Sequence, residues 1–245
     1  MRIESTTNQR IKAVRRLHRG RERRQMGRTL LEGPKIIGAA LDVGVVPLEV
    51  YTVDGGPIVD RCDAAGSEVI EVSRIVLETV ATTVEPQDPV AVIEVPAGTS
   101  LGPERVVVLV DIADPGNLGT LIRSAAALGW QVALLGGADP WNPKVLRSAA
   151  GSHFTRVPVR IADLSELAAL GHATVATVVE GGQEPSAVEI DAPIALLVGS
   201  ESHGLPSEMV NQCDVTMTIP MSADSESLNA AVAGSIAMYA LSGPN

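Results

Sequence analysis

Three short stretches in the second half of the chain carry residue types able to do chemistry. They are Asp114–Arg123 (DPGNLGTLIR), Leu197–Leu205 (LVGSESHGL), and Ile219-Pro220-Met221 leading to Ser227-Leu228-Asn229. Each places polar groups and glycines directly after an apolar run. In an open α/β sheet such strand ends are where ligands collect, because glycine lets the loop turn tightly and brings bare backbone close to a ligand. Three of them together predict one composite site. Within it Asn117 can cap a helix, Arg123 lies two turns further on, Glu201 sits at a strand end where it can orient a ligand or a cation, and Ser227 can cap the closing helix.

Each feature also has a plainer explanation: a capped helix with an exposed arginine, a simple strand-to-helix turn, an ordinary serine N-cap. Several chemistries lack their signatures. No G-x-G-x-x-G follows a strand, which disfavours a dinucleotide oxidoreductase, and no G-x-S-x-G surrounds Ser227, which disfavours hydrolysis. His203 has no metal partners at ligand spacing. Cys62 and Cys213 stand far apart, so both are expected as free thiols in a cytoplasmic protein without a metal centre.

The elements that must position these residues follow from periodicity. Arg105–Asp111 is a nearly continuous apolar run, as in a strand buried on both faces. A helix is predicted over 117–128, strands over 131–135, 155–159, 173–179, 194–198 and 215–219, short helices over 143–150 and 164–170, and an Ala-rich closing helix over 227–241. The alternation implies a parallel sheet covered on both faces. Upstream, 8–28 reads as a basic helix or helix pair broken near Gly20 and Gly27. A small α/β region follows, with helices from Pro34, over 57–65 and from Ser73, and strands over 48–53, 69–72 and 90–93. The Pro/Gly-rich segment 96–103 is the natural linker. The expected division is 1–97, a linker at 98–104, and 105–245.

Aromatic residues make up only 2% of the chain, so the core is Val, Leu, Ile and Ala, and recognition of RNA by stacked aromatic platforms is not expected. The net charge of −10 hides an asymmetry: residues 1–35 hold eleven Arg/Lys against three Glu, a local +8, leaving −18 on the rest. A basic arm on an acidic body predicts local contact with a polyanion. The N-terminus lacks the apolar stretch of a signal peptide, and no apolar run approaches the ~20 residues of a membrane helix.

Taken together the three stretches resemble the three motifs of the SpoU (TrmH) branch of the SPOUT methyltransferases: Asn117–Gly129 the first, Leu196–Leu205 the second, Ile219–Ala233 the third. The resemblance covers roughly 105–242. The start of the chain, Ser5–Lys12 with Leu31-Glu32-Gly33, is similar to the L30e-like substrate-binding domain that precedes many SpoU catalytic domains. The resemblance implies an α/β fold with a deep trefoil knot in the C-terminal sheet domain and a small N-terminal L30e-like α/β domain. It implies a homodimer and transfer of a methyl group from S-adenosylmethionine to a ribose 2′-hydroxyl of RNA, with ribosomal 23S RNA favoured over transfer RNA. By resemblance Gly199, Ile219 and Leu228 hold the cofactor, and Arg123, Asn117, Glu201, Ser227 and Asn229 are the catalytic and positioning residues. Ser202 stands where the family commonly has glycine, and a positive φ there would strain the loop. A guanidinium is always protonated and accepts no hydrogen bond, so Arg123 is expected as a phosphate clamp and alkoxide stabiliser rather than a base. A non-catalytic RNA-binding protein of the same fold is the alternative from a different class.

Overall fold

The computed structural model describes residues 2–98, 100–222 and 227–242. The chain forms two compact units, Met1–Ala97 with Asp139–Thr155, and Gly98–Ala138 with Arg156–Asn245.

The first unit begins with α1 (Gln9–Arg16), started by the Asn8 side chain accepting from the Arg10 N–H at 2.9 Å. Ile11, Val14 and Leu17 bury one face of this helix while its cations stay outside. After α2 (Gly20–Met26), Gly27 at φ 62° ends the helix in the left-handed conformation that glycine adopts without penalty. There follow β1 (Arg28–Glu32), α3 (Pro34–Asp42), β2 (Glu49–Thr52), α4 (Pro57–Ala64), β3 (Glu68–Glu71), α5 (Arg74–Val80) and β4 (Val90–Glu94). The sheet order is β1-β4-β2-β3, with β2 and β3 parallel and β4 antiparallel to both its neighbours. Strand β1 is an addition to the sequence expectation. Its apolar core is only Thr29-Leu30-Leu31, too short to stand out beside the arginine-rich run that leads into it.

The second unit is built on β5 (Val106–Val110), whose five residues are all buried. Each such side chain contributes about 1.5–3 kcal/mol by leaving water. Then come α6 (Pro115–Ala127) and β6 (Gln131–Leu135). The chain next enters α7 (Pro143–Ser148), which belongs to the first unit, and returns as β7 (Val159–Arg160), α8 (Ser165–Ala169), β8 (Ala173–Thr177), β9 (Ile194–Val198), α9 (Ser207–Val210), β10 (Val215–Met217) and α10 (Ala230–Ala240). The six strands are all parallel in the order β10-β8-β9-β5-β6-β7, as the α/β alternation implied.

Two expectations need correction. Residues 139–155 do not continue the second unit. The Arg23 guanidinium donates to Asp139 Oδ2 at 3.0 and 2.7 Å, and the Thr29 hydroxyl donates to the Trp141 carbonyl at 2.6 Å, which ties this segment to the first unit. Periodicity shows a short helix there but not which core receives it. The strand expected over 155–159 begins only at its last position: after a 3₁₀ turn at Ser152–Phe154 the chain reaches the two-residue β7, Val159–Arg160. Among the described residues no helix is long and apolar enough to cross a membrane.

Candidate active site

The site lies in the second unit, at the C-terminal ends of β8, β9 and β10. Thr177, Val198 and Met217, the last residues of these strands, line a crevice. Gly199, Glu201, Ile219, Ser227 and Leu228 line it as well, so residues from two of the three predicted stretches meet at one place. The walls are mostly apolar, with Val198, Ile219, Leu228 and Ala233 among them.

The turn after β9 explains its glycines. A Cβ on Gly199 would stand 2.2 Å from the Gly204 carbonyl carbon and 2.4 Å from the Leu205 nitrogen, so the two limbs of the turn touch there through backbone alone. The Gly204 N–H closes the turn onto the Ser200 carbonyl at 2.9 Å, and Gly204 takes the left-handed φ of 63°. Ser202 is not among the positive-φ positions, so the strain considered for it does not arise. Asp111, at the end of β5, does adopt a φ of 50°, and its Oδ1 accepts from the Gly137 N–H at 3.2 Å.

The first stretch is joined through hydrogen bonds. Asp114, rather than Asn117, caps α6: its Oδ1 accepts from the Asn117 N–H at 2.9 Å, with Pro115 in the first turn. The Asn117 side chain is thereby left for other work. Its Nδ2 donates to Glu201 Oε1 at 2.6 Å, and its Oδ1 accepts from Asn229 Nδ2 at 3.1 Å. Asn229, rather than Ser227, caps α10, its Oδ1 accepting from the Ala231 and Val232 N–H groups at 2.9 and 3.2 Å. Backbone N–H groups only donate and a carboxylate only accepts, so both amides are fixed in orientation and every bond runs one way, from α10 to Glu201. The Asn229 bond to Asn117 carries no local sequence signal, its partners lying 112 positions apart.

Gly234 lets α10 sit close. A Cβ there would be 2.5 Å from Leu121 Cδ2 and 3.2 Å from a Val198 methyl. The Ser235 and Ser124 hydroxyls also bond at 2.8 Å. Arg123 projects from the solvent side of α6, exposed, with no hydrogen bond or ion pair among the described residues, and it does not line the crevice. Residues 223–226, between the third stretch's two halves, lie outside the described residues.

A parallel sheet with an apolar, glycine-floored crevice at its carboxyl ends defines an α/β enzyme domain that holds a small cofactor at strand ends. The chain belongs to the SpoU rRNA methylase family, whose model matches residues 104–239; a model of the MRM3-like substrate binding domain matches residues 8–91. It is 35% identical to the 23S rRNA (guanosine(2553)-2′-O)-methyltransferase RlmP of Bacillus subtilis, across 98% of this chain and 99% of that one. Among solved structures it superposes on the AdoMet-bound rRNA methyltransferase from Sinorhizobium meliloti with a TM-score of 0.89 at 29% identity, covering 98% of this chain and 97% of the other. The SpoU methyltransferase AviRb from Streptomyces viridochromogenes, in complex with AdoMet, gives a TM-score of 0.87 at 27% identity over 96% and 97% of the two chains. The crevice suits S-adenosylmethionine: apolar walls for its adenine and methionine carbons, bare backbone at Gly199, and the Glu201 carboxylate for its positive charge.

Proposed function

We propose that this protein methylates a ribose 2′-hydroxyl of 23S ribosomal RNA, using S-adenosylmethionine. The observation that carries this reading is the meeting of Gly199, Ile219 and Leu228 with Glu201 and Ser227 in one crevice, with Asn117 and Asn229 bonded to Glu201 and to each other. The cofactor supplies an electrophilic methyl group, so the chain needs to bind it, keep water out, and align the sugar. Gly199, Ile219 and Leu228 hold the cofactor, while Ser227 and Asn229 help orient the ribose. Arg123, exposed and without an ion-pair partner among the described residues, clamps the phosphate beside the target and steadies the developing oxyanion. A sulfonium is already electrophilic, so the transfer calls for no metal.

The first unit docks the RNA. Lys12, Arg15, Arg19, Arg21 and Arg24 on α1, α2 and the turn between them are exposed and lack ion-pair partners among the described residues. Arg10 is engaged by Glu49 and Glu68, Arg16 by Glu22, and Arg23 is buried against Asp139. The reading extends to a cytoplasmic homodimer with the family's knotted chain path. A dimer is supported by Val232, Ile236 and Tyr239 on α10, which are 47, 40 and 73% exposed at i, i+4, i+7 spacing and form an apolar stripe in want of a cover.

Calorimetry with S-adenosylmethionine, then transfer of labelled methyl from it to ribosomal RNA, tests the reading. Saturable binding followed by transfer is expected. Binding without transfer to any RNA would favour the non-catalytic alternative.

A further inference from the structure

A second cavity is lined by the 199–204 turn and by residues at and just beyond the end of β5, among them Val110, Asp111 and Ala113. Ser200, Glu201 and Gly204 line both this cavity and the cofactor crevice, so a single turn of chain separates the two. Glu201 is the one carboxylate, among the described residues, common to both. Its Oε1 is taken by Asn117 Nδ2, and Oε2 has no protein partner among the described residues.

The geometry points to the second cavity as the seat of the target nucleoside, and to Glu201 Oε2 as the acceptor of its 2′-hydroxyl proton. This rests on the methyltransferase reading above. A sugar hydroxyl becomes a competent nucleophile as it sheds its proton, and the proton needs a lone pair to go to. Arg123 offers none. Glu201 offers one, and it lines both cavities. The relay from the first turn of α10 through Asn229 and Asn117 fixes the carboxylate by its Oε1 and leaves Oε2 to the substrate.

The other titratable groups lining the second cavity are Asp111 and His203. Neither reaches the cofactor crevice, and Asp111 already accepts from the Gly137 N–H. In the step, the O2′–H bond breaks and its proton goes to Oε2. The freed oxygen pair forms the bond to the methyl carbon, while the carbon–sulfur pair stays on sulfur. Carboxylate and sulfonium both end neutral, so charge balances.

Glu201→Gln tests the proton acceptor. The amide keeps an oxygen for Asn117 Nδ2 but cannot take the proton. Methyl transfer to ribosomal RNA, measured at saturating S-adenosylmethionine, should fall about 100-fold or more, with affinity for RNA held within about threefold. Turnover within about tenfold of the parent overturns the assignment. Ala113→Trp, and Ser202→Trp from the opposite wall, fill the cavity at exposed positions. Either should weaken RNA binding about tenfold, measured without cofactor, and leave calorimetric S-adenosylmethionine affinity unchanged. Full RNA affinity in both folded variants overturns the cavity's role. Failure of the unmodified protein to methylate any RNA is a different result: it overturns the methyltransferase reading, and this inference with it.

Discussion

Asn117 and Glu201, 84 positions apart in the chain, are joined by a 2.6 Å hydrogen bond that links the start of α6 to the turn after β9. Asn229 extends the link to the first turn of α10. Three strand-end loops are thus tied by side chains rather than by backbone. Truncating Asn117 to Ala removes the middle of this relay and frees the Glu201 carboxylate to rotate. Turnover is expected to drop about 10- to 100-fold, while cofactor affinity changes by less than about threefold, since Asn117 does not line the crevice. Steady-state kinetics beside calorimetry read the two effects separately.

Arg123→Ala is expected to abolish turnover and to leave S-adenosylmethionine affinity within about tenfold, or ~1.4 kcal/mol. The side chain is exposed on α6 and apart from the crevice, so the loss should come with normal folding and normal cofactor binding. Near-normal methylation by this variant removes Arg123 from the mechanism.

The arginines of the N-terminal arm separate into two groups with different predicted phenotypes. Neutralising exposed Lys12, Arg15, Arg19 and Arg24 should weaken RNA binding and flatten its dependence on salt, because fewer neutralised phosphates release fewer counterions on binding. Arg23 is 3% exposed and bonds Asp139 together with the Leu17 and His18 carbonyls. Arg23→Ala should instead cost about 3 kcal/mol of stability by leaving Asp139 without its partner. Denaturation and salt-titrated RNA binding, run on both sets, distinguish them.

His153 supplies a pH dependence. It is fully buried against Trp141, with ring centroids 5.4 Å apart. Neither of its nitrogens has a hydrogen-bond partner of normal geometry, and a polar contact with the Pro140 carbonyl offsets the burial only in part. Burial therefore pushes its pKa down from 6.5 to about 4. In the unfolded chain the ring binds a proton at higher pH than in the folded one, so its contribution is intact above pH 6.5 and is lost as pH falls towards 4. The loss amounts to ~3 kcal/mol when complete. Melting His153→Leu alongside the parent from pH 7 to 4 should show a flatter decline for the variant; parallel curves would exclude His153 as a cause.

Much of the second unit was legible in the sequence because its central strands are buried on both faces. A run such as Val106–Val110 has no polar face to confuse the pattern, and Gly136 and Gly199 mark where β6 and β9 stop. Gly199, Ile219 and Leu228 came from the family resemblance rather than from the strand pattern, and all three line the crevice. What stayed hidden was whatever depends on a distant partner. Asp114 and Asn229 outcompeted Asn117 and Ser227 as caps, which shows only when the side chains' other contacts are seen. The packing of 139–155 into the first unit turns on one buried arginine, Arg23, which in sequence looks like any other member of a basic run. Strand β1 was obscured by that same run.

The central claim is that the strand-end loops form one site that moves a methyl group onto a ribose of 23S rRNA. Mapping 2′-O-methyl positions in 23S rRNA from cells with and without this protein tests it most directly, with purified protein and S-adenosylmethionine added back to the unmodified RNA. One position should lose its methyl in the cells that lack the protein and regain it in vitro, with parent protein but not with Arg123→Ala. An unchanged map, together with no transfer in vitro, would contradict the claim.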